Sequence, residues 1–271
     1  MSRSTGPLGK KGSEASEVNE VGGAVSKGRR FKTAFVLGAG LGTRLRPLTD
    51  RCPKPLLEIG GRPLITYAMD HLLRAGVERF IVNTHPWPEV YLKKFPQRRW
   101  RGVPILFRHE PRLLDTGGGL KNIEDLLDDD EAIFCYNGDV ITDLPLERLV
   151  LYHEEKRPEV TLVLRSAGGL LNVEINDRGE VCDLRTRLGN RGVQSCLFTG
   201  ISAVETSILR FLEPEKAESL VDLFLRRIVR APGSIRGLIV DEGYWYDVGT
   251  LEAYEALRAT TIPLSVEETR G

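Results

Sequence analysis

Along the first half of the chain, short apolar runs alternate with stretches in which apolar residues return at helical spacing. Thr33-Ala34-Phe35-Val36-Leu37 runs straight into glycines, the pattern of a strand buried on both faces of a parallel sheet. From Leu64 to Ala75 the apolar residues Leu64, Ala68, Leu72 and Ala75 share one helical face, and Gly76 supplies a stop. Arg79–Asn83 predicts the next strand, Glu89–Phe95 a helix, Pro104–Arg108 a strand, Gly118–Leu127 a helix and Ala132–Tyr136 a strand. Alternation of this kind builds βαβ units. The expected fold class is α/β: a Rossmann-like, mostly parallel sheet with helices on both faces.

After Arg157 the pattern changes. Glu159–Arg165, Asn172–Ile175, Glu180–Leu184 and Gln194–Ala203 read as closely spaced strands, with Asp177-Arg178-Gly179 turning between two of them. They predict a small β-rich portion beside the main sheet. Helices return at Glu205–Leu212 and Glu218–Val229, followed by strands near Ile235–Val240 and Gly243–Tyr246 and a helix from Leu251 to about Ala259. The N-terminal stretch is rich in Gly, Ser, Lys and Glu and lacks an apolar h-region, so a disordered tail is expected there and not a signal peptide. The division expected is a tail over 1–30, one folded domain over 31–260 and a short tail over 261–271. Because the chain stops soon after the last helix, no second catalytic domain is expected.

Charge narrows the partners. Lys+Arg and Asp+Glu both total 38, and without a positive surplus broad non-specific nucleic-acid binding is not expected. No stretch is long and apolar enough to span a bilayer. The four cysteines stand far apart without CxxC pairing, which predicts free thiols in a cytoplasmic protein. Gln97-Arg98-Arg99-Trp100-Arg101 reads as a solvated loop. Asp128-Asp129-Asp130-Glu131, lacking the glycine of a calcium loop, reads as a polar connection. The four histidines have no metal-ligand spacing, and no Ser–His or Cys–His nucleophile pair is evident.

The strongest chemical signal follows the first strand: Leu37-Gly38-Ala39-Gly40-Leu41-Gly42-Thr43-Arg44-Leu45-Arg46-Pro47-Leu48-Thr49, then Pro53-Lys54-Pro55-Leu56. A glycine-rich turn leaving a strand lets backbone N–H groups approach phosphate oxygens, which makes Leu37, Gly38, Ala39, Gly40, Gly42 and Thr43 candidate nucleotide-binding residues. Arg44 and Lys54 can neutralise charge that builds up when a phosphorus centre is attacked, and prolines on both sides of Lys54 restrict its backbone. A dinucleotide fingerprint fits less well. Its third glycine would be one residue early here, and Glu58, at about the expected distance, does not end a clear second strand. A Walker A loop is excluded, since no Gly-Lys-Ser/Thr occurs.

One aspartate also stands where ligands bind in open α/β sheets, since Tyr136-Asn137-Gly138-Asp139 ends an apolar strand. Trp245-Tyr246-Asp247-Val248-Gly249-Thr250 carries another aspartate in an aromatic segment. A third segment, Glu110-Pro111 leading to Asp115-Thr116-Gly117-Gly118-Gly119-Leu120, offers consecutive glycines.

Taken together, G-x-G-T-R-L-x-P-L-T at Gly40–Thr49 and the Pro-Lys-Pro-Leu that follows resemble the signature of the sugar-phosphate nucleotidyltransferases, a likeness that runs from about Lys32 to Leu257. It is closest to the family's short single-domain members. The resemblance implies a reaction between a nucleoside triphosphate and a sugar 1-phosphate, giving a nucleotide-sugar and pyrophosphate. It further implies Mg²⁺ held by Asp139 and Asp247, with Arg44 and Lys54 as the catalytic cations. Glu110, Asp115, Thr116, Gly117 and Gly118 would receive the base, lying against bare glycine backbone, and Asn172, Thr199 and Gly200 the sugar. The family's frequent Glu-Lys-Pro, whose lysine grips the sugar phosphate, is missing; Arg185 or Arg187 is a candidate substitute.

A carboxylate only accepts hydrogen bonds, so Glu110 at a base edge would suit uracil or guanine and disfavour cytosine and adenine. The Asp115–Gly119 loop is similar to that of the muramate-type uridylyltransferases, so UTP is expected first and GTP second. The oligomeric state is left open. Two other classes compete: a non-catalytic subunit that binds nucleotide-sugars, and an NAD-linked oxidoreductase. The first would be expected to have lost the aspartates or the lysine, which this chain keeps.

Overall fold

The computed structural model describes Met1, residues 30–128 and residues 131–260. The expected tails therefore lie outside the described residues, except at Met1 and at Arg30, which is anchored by ion pairs to Glu154 and Glu205. Asp129 and Asp130 of the acidic connection also lie outside.

In chain order the first half contains β1 (Thr33–Leu37), the short pair β2 (Glu58–Ile59) and β3 (Arg62–Pro63), α1 (Ile65–Arg74), β4 (Arg79–Thr84), α2 (Pro88–Lys94), β5 (Arg99–Trp100), β6 (Val103–His109), α3 (Asp115–Lys121) and β7 (Ala132–Asn137). The second half contains β8 (Val140–Thr142), α4 (Leu146–Lys156), β9 (Val160–Arg165), β10 (Val173–Ile175), β11 (Val181–Leu184), β12 (Gln194–Glu205), α5 (Leu220–Arg230), β13 (Ile235–Ile239), β14 (Trp245–Asp247) and α6 (Leu251–Ala259). The main sheet runs β11-β10-β12-β7-β1-β4-β6-β5, with β9 and β13 attached through β12. Its centre is parallel: β1 pairs with β4 and β7, and β4 with β6. The mostly parallel α/β architecture read from the sequence is therefore the one adopted.

Side-chain alternation along β1 sorts the two faces. Ala34 and Val36 pack with Ala68 and Leu72 of α1 in one buried cluster. Phe35 points the other way, into a cluster with Leu120 of α3 and Phe224 of α5. Truncating a buried aromatic such as Phe35 costs about 3–5 kcal/mol. This core holds the carboxyl ends of β1, β4, β6 and β7 along one edge.

β12 departs from the parallel order. Ile201–Glu205 run antiparallel to β7, while Gln194–Cys196 pair with β10. Its register against β9 shifts between Phe198 and Ser202, so Thr199-Gly200 bulges beside the end of β7. β8 and β14 form a separate antiparallel pair across that end, with Val140 opposite Asp247.

Several elements differ from the sequence reading. α4 went unpredicted: it buries only a narrow stripe (Leu146, Leu149, His153), leaves Leu151 exposed, and has no side-chain cap at Pro145. The helix expected at Glu205–Leu212 is a 3-10 segment, Thr206–Phe211, closed soon afterwards by Pro214. The helix expected at Gly118–Leu127 starts earlier and breaks into α3 and a 3-10 turn at Glu124–Leu126. Gln97–Arg101 is not a free loop, because Trp100 Nε1 and Arg101 Nε both donate to Asp70 Oδ1, at 2.8 Å and 2.6 Å. All four cysteines are free. Among the described residues no helix is long and apolar enough to cross a membrane.

Candidate active site

The glycine turn after β1 is held from the neighbouring strand. Asn83, near the end of β4, accepts from the N–H of Gly38 at 2.8 Å and of Ala39 at 3.4 Å through Oδ1. Its Nδ2 donates to Glu110 Oε1 at 2.7 Å. The orientation is dictated by chemistry, since backbone N–H only donates and a carboxylate only accepts. Tyr91 OH donates to the Gly38 carbonyl at 2.9 Å. The Gly38 N–H is thus spent on the protein in the buried interior, which corrects the expectation that it turns towards phosphate, while the longer contact of Ala39 is only part-buried.

Glu110 is corrected as well. Its side chain is 0% exposed, and the second carboxylate oxygen accepts from Leu114 N at 3.0 Å. With both oxygens engaged internally, it braces the loop from beneath and does not read a base edge. Burial pushes its carboxyl above the ordinary range, against the pull of Asn83 and the Leu114 N–H.

Gly117 and Gly118 serve close chain packing. A Cβ on Gly117 would stand 2.8 Å from the Glu218 carbonyl, and one on Gly118 2.2 Å from the Lys216 carbonyl. Their N–H groups donate to Glu218 O at 2.7 Å and 3.0 Å, so the bare backbone expected to receive a base is covered by segment 216–220. Thr116 Oγ1 accepts from Leu220 N at 2.9 Å, joining α3 to the start of α5. Asp115 stays exposed.

Further along the turn, Gly42 takes a left-handed φ of 58° and opens a 3-10 turn over Thr43–Leu45, whose leading N–H groups have no partner within it. Thr49 Oγ1 donates to the Gly42 carbonyl at 2.8 Å and fixes this bend. Gly40 and Arg44 are exposed beside it. Pro53 caps a second 3-10 turn, Lys54–Leu56, Pro55 lies within it, and the Lys54 ammonium pairs with Asp139.

Asp247 is brought to the same place by strand register, being opposite Val140, the residue after Asp139. Val248 N donates to the Asp139 carbonyl at 3.2 Å and ties the two loops together. Burial, then the charge of Asp139, hold the Asp247 carboxyl above the usual carboxylate range, opposed by Lys54 and Arg44. A Cβ on Gly249 would lie 3.3 Å from Arg44 Nη2 and 3.3 Å from Asp247 Oδ1, so that guanidinium and that carboxylate share one small space. Arg44, Lys54, Asp139 and Asp247, more than a hundred residues apart at their extremes, form one constellation. Two neighbouring carboxylates, one held back from ionising by burial and then by the charge of the other, suit a hard divalent cation. Among the described residues no group of three or more His, Cys, Asp or Glu could hold a metal, so other donors would have to complete its shell.

A cleft of about 410 Å³ opens at the ends of β1 and β7, lined by Leu37, Asp115, Thr116, Asn137, Arg185 and Gly200 among others. A second, of about 180 Å³, shares Asn137, Arg185 and Gly200 and adds Asn172, Thr199, Trp245 and Asp247. Asn172 and Gly200 thus line the space expected to take a sugar. The Thr199 hydroxyl does not, because the residue is buried and donates to Val163 O at 2.8 Å, while its carbonyl accepts from Trp245 Nε1 at 2.9 Å. Thr199 instead orients the indole beside Asp247. A larger groove of about 600 Å³, lined by His71, Arg74, Asp143 and Glu147 among others, shares none of these residues.

The model of the family described as "Nucleotidyl transferase" matches residues 33–169, half of the chain and both of the glycine and Asn-Gly-Asp segments. The chain belongs to the nucleotidyl transferase family. It is similar to the mannose-1-phosphate guanylyltransferase of Mycobacterium tuberculosis, with 31% identity over 82% of this chain and 62% of that protein. The mannose-1-phosphate guanyltransferase of Yarrowia lipolytica is 41% identical over 48% of this chain and 36% of that protein. The chain spans about three fifths or less of the length of these relatives. Among solved structures, HddC from Yersinia pseudotuberculosis superposes with a TM-score of 0.69 at 20% identity, covering 84% of this chain and 99% of that one. The inositol-1-phosphate CTP transferase from T. maritima does so with a TM-score of 0.69 at 18% identity, covering 84% and 95%. At those identities the likeness is one of fold.

Within this family frame, sequence reasoning overlooked Asn83 and Asn137. Asn83 clamps the glycine turn, and Asn137 lines both clefts. A polar residue closing an otherwise apolar strand was the available signal in both cases.

Proposed function

We propose that the chain is a guanylyltransferase that joins GTP to mannose 1-phosphate or a closely similar sugar 1-phosphate, releasing pyrophosphate. The observation that carries the reaction class is the convergence of Arg44, Lys54, Asp139 and Asp247 at the carboxyl edge of the sheet, beside two connected clefts. The base and sugar rest on the relatives. Guanylyltransferases of mannose 1-phosphate match about four fifths of this chain at 31–34% identity. The uracil preference drawn from the Asp115–Gly119 loop gives way to guanine on the strength of these relatives, and the buried Glu110 no longer argues for either base.

In the proposed reaction a phosphate oxygen of the sugar 1-phosphate attacks the α-phosphorus of GTP in line. That P–O bond forms as the bond to the β-phosphate bridging oxygen breaks, and pyrophosphate leaves with the electron pair. No protein nucleophile takes part. Asp139 and Asp247 would hold Mg²⁺, which when bound supplies positive charge against the phosphate oxygens. Lys54, held between two prolines, and Arg44 offset the charge that grows at the α-phosphate in the transition state. The 3-10 turn at Thr43 offers N–H groups to the triphosphate. Arg185, at the junction of the two clefts, stands in for the absent lysine and holds the sugar phosphate; Arg187 is the weaker candidate because it pairs with Asp222 at 3.3 Å.

A complete constellation favours catalysis over a purely regulatory role. Incubation with each NTP, a panel of sugar 1-phosphates and Mg²⁺ should release pyrophosphate with GTP and mannose 1-phosphate. Arg185→Ala should raise the KM for the sugar phosphate and leave that for GTP unchanged; equal KM values for the sugar phosphate would remove Arg185 from the site.

A further inference from the structure

Asp183 is 0% exposed, and no cation pairs with it among the described residues. Its carboxylate is met by backbone alone. Oδ1 accepts from Leu184 N at 2.6 Å and Leu188 N at 3.1 Å, and Oδ2 from Leu188 N at 3.2 Å and Asn190 N at 3.0 Å. A buried carboxylate is costly unless donors surround it, and here every donor comes from the single loop 184–190. Asn190 Nδ2 closes the far end of that loop on the Cys182 carbonyl at 2.9 Å.

The enclosed loop is strained at one place. Arg185 and Thr186 adopt left-handed φ values of 55° and 54°, a conformation rare for ordinary residues and rarer for a β-branched one. Strain of this kind persists only where the surroundings over-determine it, and it collects at ligand clamps. Arg185 N also donates to the Asn172 carbonyl at 2.7 Å, tying the loop to a residue of the smaller cleft. Arg185 is exposed, makes no ion pair among the described residues, and is a lining residue of both clefts. Arg187, two residues on, is already paired with Asp222.

We infer that Asp183 is a positioning residue for sugar-phosphate recognition: it gathers the N–H groups of loop 184–190 so that Arg185 is presented, pre-shaped, at the junction of the two clefts. The inference rests on the proposed role of Arg185. Its effect is to remove backbone freedom that a phosphate ligand would otherwise have to freeze.

The test is a double-mutant cycle with Asp183→Asn and Arg185→Ala, following steady-state pyrophosphate release while mannose 1-phosphate and GTP are varied separately. Asp183→Asn keeps the shape but turns an amide donor towards N–H donors. It should raise the KM for the sugar phosphate about tenfold and leave the KM for GTP within about twofold, with no further rise when added to Arg185→Ala. If Arg185→Ala leaves the sugar-phosphate KM unchanged, the role given to Arg185 fails, and this inference with it. If Arg185→Ala raises that KM but Asp183→Asn leaves it alone, shifts both KM values, or adds fully in the double variant, Arg185 keeps its role and the positioning by Asp183 is overturned. Should Asp183→Asn not fold, Asn190→Ala loosens the same loop from an exposed position. A rise of about threefold in the sugar-phosphate KM, present only with Arg185 intact, supports the inference, and its absence overturns it.

Discussion

Asn83 is the residue whose replacement tests the site's architecture most sharply. Asn83→Ala removes the acceptor of the Gly38 N–H at 2.8 Å and the donor to Glu110 Oε1 at 2.7 Å, both in the buried interior. A buried neutral donor left unpaired costs about 1–3 kcal/mol, and a carboxylate more. Protonation of Glu110, whose carboxyl is already pushed up by burial, caps the second contribution. The expected loss is about 2–4 kcal/mol at pH 7. For a domain of this size that lowers Tm by roughly 5–15 °C.

Asn83→Asp sharpens the test. Its new oxygen would face Glu110 Oε1 across the present 2.7 Å contact, so one proton must sit between the two acids. The folded state then binds that proton more tightly than the unfolded chain, so the folded pKa lies above the unfolded one. The stability contributed is fully present below the ordinary carboxylate range, about pH 4, and is lost as pH rises through the raised folded value. Measured by thermal melts from pH 5 to pH 8, Asn83→Asp should approach the wild type at the acid end and fall below Asn83→Ala at the alkaline end. Parallel pH profiles for the two variants, or an Asn83→Ala protein within about 0.5 kcal/mol of wild type, would refute the clamp.

Other outcomes follow from the same geometry. Asp139→Asn and Asp247→Asn should each lower turnover by about a hundredfold or more at saturating Mg²⁺, measured as pyrophosphate release, and near-normal turnover in either would remove that carboxylate from the metal site. The Asp247 carboxyl is raised by burial and by Asp139, and Asp247→Asn should abolish the rise in Tm that Mg²⁺ binding gives the protein. The same raised carboxyl means that Mg²⁺ affinity should begin to fall on acidification at a higher pH than an ordinary aspartate would give, which a titration of activity against Mg²⁺ at several pH values reads directly. Lys54→Ala should reduce kcat more than it raises the KM for GTP, and a pure KM effect would confine Lys54 to ground-state binding.

What was legible in the sequence depended on how local each signal was. The strand-glycine turn, Pro-Lys-Pro and the two aspartates are contiguous patterns, and the structure brings Arg44, Lys54, Asp139 and Asp247 together. Asn83 and Asp183 act by reaching backbone groups brought near only by folding, or brought near by an irregular loop with no periodic signature. For Glu110 the position was readable but the direction of its carboxylate was not, because the side chain lies just past β6, where strand alternation no longer fixes its face. Gly117 and Gly118 announced a close approach, and glycine does not say whether a ligand or a distant stretch of chain will fill the space; here it is 216–220. α4 escaped because a single narrow buried stripe gives little periodic contrast.

The central claim is tested most directly by one measurement: the initial rate of pyrophosphate release from each of the four common NTPs, with mannose 1-phosphate and Mg²⁺ present. The account predicts a rate with GTP about tenfold or more above that with UTP, CTP or ATP, together with stoichiometric formation of a guanosine diphosphate sugar. No pyrophosphate from any NTP, across a panel of sugar 1-phosphates, would contradict it.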